Sequence, residues 1–131
     1  MTLQEKEYIN AWLTKAEHDI LSAQRLLEIE PMILDTACFH CQQAVEKYLK
    51  AYIIYNDAEV EKTHDIVFLL DLCKSFDDDF STIEPANINA YAVRGRYPDM
   101  NLMPEKEEAQ AYYQLALEIK ALVLSKVDLT K

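Results

Sequence analysis

"ACFHCQQAVEKYLKAYIIY", residues 37–55, decides the fold class. Ala37, Cys41, Ala44, Val45, Tyr48, Leu49, Tyr52 and Ile53 recur at steps of three and four, the period of one helix face. Neither glycine nor proline interrupts the run. A helix begun near Asp35, a residue suited to capping, and carried to Tyr55 spans roughly 30 Å, enough to cross a small bundle.

The same period extends outward. Leu3, Ile9, Trp12, Ala16, Ile20, Ala23, Leu26 and Leu27 predict a first helix over 3–29, stopped by Pro31. Thr63 is placed to cap a third helix over 64–77, with Ile66, Leu69, Leu70 and Cys73 inward and Phe76 at its end. "DDDFSTIEP" (77–85) reads as acidic and irregular, and "ANINAYAV" (86–93) as a short helix. Pro104 reads as the first residue of a last helix whose early glutamates, Glu105, Glu107 and Glu108, suit a positive helix end. Its apolar face holds Ala109, Tyr112, Tyr113, Ala116, Ile119, Leu122, Val123 and Val127. The expectation is an all-α, up-and-down four-helix bundle, with one additional short helix before the last long one, forming a single domain over 1–131.

Composition agrees. One glycine in 131 residues leaves little for tight hairpins, and half the chain is apolar, so a core can be buried. Thirteen basic against 23 acidic residues give a net charge of −10, which disfavours non-specific binding to nucleic acid or anionic membrane. No apolar run reaches membrane-spanning length, "MTLQEKEYIN" has no signal-peptide order, and three cysteines suit reduced thiols, so the expected compartment is the cytoplasm.

Most candidate chemistry reduces to structure. "CFHC" (38–41) lies inside a helix and lacks a second ligand pair, so its cysteines read as core rather than as a redox pair or zinc site. There is no glycine-rich phosphate loop, and Asp77, Asp78 and Asp79 lack the spacing of a calcium loop. Neither metal nor cofactor is expected. Glu46, Lys47 and Lys50 read as a solvated face carrying an i,i+4 Glu46–Lys50 pair, and Tyr48 and Tyr52 as core or dimer surface.

"VRGRYPD" (93–99) stands apart. Gly95 opens backbone geometry that other residues resist, and Pro98 pushes Tyr97 toward an extended form. The turn presents Arg94 and Arg96, which suit a phosphate, and Tyr97, which suits stacking on a base. The alternative is that both arginines only hold the loop against its acidic surroundings.

Taken in order, "FHCQQAVEKYLKAYI", "THDIVFLLDLC", "RYPD" and a Glu-rich start to the last helix resemble the HEPN domain family, with Trp12, Ala16, Asp19 and Ala23 fitting on the first helix. The resemblance covers about residues 8–125. It implies a four- or five-helix bundle that pairs as a homodimer, a nucleotide-binding role for an ATP- or GTP-class ligand, and a separate minimal nucleotidyltransferase partner in a toxin–antitoxin-like pair in prokaryotes. The candidate nucleotide-binding residues are then Arg94, Arg96 and Tyr97, with Lys47, Lys50 and His64 nearby. Many members cut RNA with an Arg, four to six residues, then His. Here the candidate positions hold Asp99, Met100 and Asn101 after Arg94, and Asn101, Leu102 and Met103 after Arg96. With no His there, no catalytic residue is assigned and RNA is not the favoured ligand. A metal-independent ribonuclease using His64, and a purely structural adaptor, are the alternatives.

Overall fold

A computed structural model describes residues 1–60, 62–85 and 103–130. They form an all-α bundle: α1 (Leu3–Glu28), α2 (Leu34–Tyr55), α3 (Ile66–Phe76), a short 3-10 helix (Asp78–Thr82) and α4 (Lys106–Lys126). Among the described residues there is no strand. The short helix expected over 86–93 lies outside them.

α2 is the hub. Its apolar face is wide enough that α1, α3 and α4 each pack on it, while α1 meets α4 only lightly. Ala37, Cys41, Ala44, Val45, Tyr48, Leu49, Tyr52 and Ile53 are all buried, so Tyr48 and Tyr52 belong to the core and not to a free surface. The small residues Ala16 and Ala23 on α1, both fully buried, let α1 lie close along α2. The two run antiparallel: Trp12 meets Lys50, and Asp19 meets Lys47 and His40. A second polar tie joins three helices. Glu17 on α1 accepts from Tyr48 Oη at 2.9 Å and from Lys120 Nζ of α4 at 2.6 Å.

Several boundaries differ from the sequence expectation. α2 starts after Ile33, which makes no side-chain cap, and Asp35 sits inside the first turn, where its charge favours the positive helix end. α3 is shorter than expected. Asp65 caps it by accepting from the Phe68 N–H at 3.2 Å, while Thr63 Oγ1 accepts from the Asp65 N–H one step upstream. Pro104 precedes α4, whose N-cap is Glu105. Leu3, placed on the apolar side of α1, is 71% exposed because it lies at the frayed first turn.

The acidic stretch after α3 is ordered. Asp77 caps the 3-10 turn through the Asp79 N–H, and Lys126 from α4 pairs with Asp77 at 2.9 Å and with Asp79. Phe80, a lone apolar residue among the acids, is fully buried against Tyr52, ring centroids 4.7 Å apart. This aromatic contact makes the segment fold back. The acids stay outside, and no cation-binding cluster is present among the described residues.

Candidate functional site

The seam between α1 and α2 carries charge that a helical bundle ordinarily keeps outside. Asp19, Gln42, Glu46 and Lys50 are all less than a tenth exposed. Gln42, Glu46 and Lys50 follow one another at four-residue steps on α2, so they share a face. The solvated face expected for Glu46 and Lys50 is therefore corrected: both are buried, Lys50 beside Trp12 of α1 and Glu46 against His64 of the segment entering α3. Their i,i+4 pair does form, at 2.8 Å, but in the interior.

Two carboxylates organise the cationic groups. Asp19 accepts from His40 Nδ1 at 2.8 Å through one oxygen and from Lys47 Nζ at 2.5 Å through the other. Glu46 Oε1 accepts from both Lys50 Nζ and His64 Nδ1, each at 2.8 Å. Lys50 also lies 5.5 Å from the centre of the Trp12 ring, a cation–π distance. Burying either acid alone would cost several kcal/mol; a partner in hydrogen-bond reach offsets that cost.

The seam thus gathers three of the six residues proposed from sequence. Lys50 and His64 share one carboxylate oxygen, and Lys47 is one helical turn from Lys50 on its own acid. His64 belongs to the segment entering α3, and its side chain is 66% exposed; with Nδ1 on Glu46, Nε2 is the nitrogen left for a ligand. Arg94, Arg96 and Tyr97 lie outside the described residues.

Sequence reasoning missed Asp19 and Trp12 as parts of the site. Both sit on the stripe that carries Ala16 and Ala23, and an aspartate on the apolar side of a helix is the signal that pointed there. Three seam atoms have no hydrogen-bond partner despite burial beyond Trp12 Nε1: both amide atoms of Gln42 and Glu46 Oε2. Such groups are uncommon in a packed interior.

The cysteines hold to the core. Cys38, Cys41 and Cys73 are buried and form no disulfide. Burial pushes the Cys41 and Cys73 thiols up to about 12, which keeps them protonated and poorly nucleophilic.

A HEPN domain family model matches residues 9–126, from the second turn of α1 to the end of α4. The chain belongs to the HEPN domain family. No curated protein and no solved structure matches it. Within the HEPN domain the α1–α2 seam lies wholly inside the matched span. No helix among the described residues is long and apolar enough to cross a membrane.

Proposed function

We propose that this HEPN domain is a nucleotide-binding protein, taking an ATP- or GTP-class ligand. The observation that carries the reading is the convergence of Lys47, Lys50 and His64 on two buried carboxylates beside Trp12, in a chain of net charge −10. A phosphate needs fixed donors, and an ammonium already held by a buried acid spends little conformational freedom when it meets one. Arg94 and Arg96 add guanidinium donors, and Tyr97 a stacking face. A homodimer would double the patch, and a separate minimal nucleotidyltransferase in a toxin–antitoxin-like pair, in a prokaryotic cytoplasm, is the proposed setting. Titration of ATP and GTP into the wild-type chain and an Arg94→Ala, Arg96→Ala variant tests it. Binding that weakens in the variant supports the proposal with its arginines; equal affinity in both removes the arginines from it, and no binding in either removes the proposal.

One observation favours a second reading, a metal-independent ribonuclease. The His64–Glu46 contact orients an imidazole as acid–base catalysis requires, leaving Nε2 for a substrate proton. Labelled RNA cut by the wild type and left intact by His64→Ala would establish it.

A further inference from the structure

Tyr8, Ala11, Trp12 and Lys15 fall at i, i+3, i+4 and i+7 on α1, so they form one stripe. Lys47 of α2 faces that stripe, and together the five residues line a cavity of about 360 Å³. That volume lies within the range of small-molecule sites. Its floor is aromatic: the rings of Tyr8 and Trp12 meet edge to face, 6.3 Å apart at 73°. Tyr8 is 53% exposed, so part of its ring is open to a ligand.

Charge distinguishes this cavity from its neighbours. Two lysines line it and no carboxylate does. One neighbouring cavity carries Glu5 and Asp57, another Glu28. In a chain with 23 acids and 13 bases, a hollow lined by two lysines and no acid, with Asp19 reached only behind Lys47, is of these three the one where an anion meets least repulsion. One lysine and one ring of the lining are held in place. Asp19 holds Lys47 at 2.5 Å, and Lys50 braces the Trp12 ring from within the seam.

We propose that this cavity seats a mononucleotide, its base against Tyr8 and Trp12 and its phosphate between Lys15 and Lys47. The proposal rests on the nucleotide-binding reading, assigns to it Tyr8 and Lys15, which carried no role, and gives Trp12 the base. A planar anionic ligand satisfies both features of the hollow at once: aromatic stacking is worth about 1–3 kcal/mol per base, and the ammonium groups supply charge-assisted hydrogen bonds. The cavity is bounded by a single helix pair, which suits one nucleotide and not a continuous strand.

Trp12 is the chain's sole tryptophan and lines this cavity, so tryptophan fluorescence reads the surroundings of that ring. ATP titrated into the wild type, followed by both fluorescence and calorimetry, should quench Trp12 with the same dissociation constant that the heat gives. Lys15 and Tyr8 are exposed, so Lys15→Ala and Tyr8→Ala leave the fold intact. Lys15→Ala should weaken ATP roughly tenfold, the worth of one charge-assisted hydrogen bond, and Tyr8→Ala should weaken it too. Heat of binding with unchanged Trp12 emission, and an unaltered constant in both variants, would place the nucleotide elsewhere; this site would fall while nucleotide binding stood. Neither heat nor quenching would end both proposals. Quenching by oligouridylate with none by ATP would overturn the mononucleotide assignment in favour of RNA.

Discussion

Lys50 Nζ donates to Glu46 Oε1 at 2.8 Å, one turn apart on α2, with both side chains less than a tenth exposed. An exposed i,i+4 pair contributes about 0.3–0.5 kcal/mol. This one is different because each charge is buried and needs the other.

Glu46→Ala should therefore destabilise the domain by about 3–5 kcal/mol, since it strands a buried ammonium. A Glu46→Met, Lys50→Met double variant should recover most of that loss, because apolar residues of similar size fill the seam without an uncompensated charge. Urea unfolding of the three proteins measures it. A Glu46→Ala cost no larger than that of a surface substitution would show that the pair is solvated after all.

Glu17 predicts an acid-sensitive component of stability. Burial pulls its carboxyl up, but hydrogen bonds from Lys120 and Tyr48 outweigh that and leave it below its ordinary value of 4.5. A depressed folded value means the contribution is present above pH 4.5 and is lost as pH falls through the folded value. Glu17→Gln should lose less stability than wild type over that acid range, and should cost about 0.5–1 kcal/mol at neutral pH, since the pair is partly exposed. Denaturation midpoints at neutral and acid pH for both proteins decide it. Parallel acid limbs would remove Glu17 from the account.

The thiols should be silent in the native state. Cys38, Cys41 and Cys73 are buried, and burial raises Cys41 and Cys73 to about 12. A thiol-reactive chromophore at mildly alkaline pH should label none of the three before unfolding and all three in denaturant. Rapid native labelling of Cys38 or Cys41 would revive a redox role for "CFHC".

Asp65, not Thr63, caps α3. Asp65→Ala should cost about 1 kcal/mol and Thr63→Ala distinctly less. Thermal melts of the two variants measure the difference, and equal losses would contradict the cap assignment.

The apolar stripes of α1, α2 and α4 were legible because a three-to-four residue period leaves few alternatives to a helix with one buried face. Leu115 and Phe80 are core residues that the periodicity did not mark. Phe80 is a single apolar side chain among acids, and only its contact with Tyr52, distant in sequence, buries it. The polar seam was hidden for a related reason. Gln42, Glu46 and Lys50 at four-residue steps look like a water-facing stripe, and nothing local says that they will be buried. Lys47, Lys50 and His64 were named from sequence, yet the carboxylates that draw them together, Asp19 and Glu46, act across 28 and 18 residues of chain. Spacing along one helix does not encode that pairing.

The most direct test of nucleotide binding at the seam follows the histidine rings by nuclear magnetic resonance during an ATP titration. The chain has three: His64 on Glu46, His40 on Asp19, and His18 on the exposed side of α1 as an internal reference. The account predicts saturable shifts of the His64 and His40 resonances that exceed any at His18. No shift at His64 up to saturating ATP, or an equal drift of all three, would contradict it.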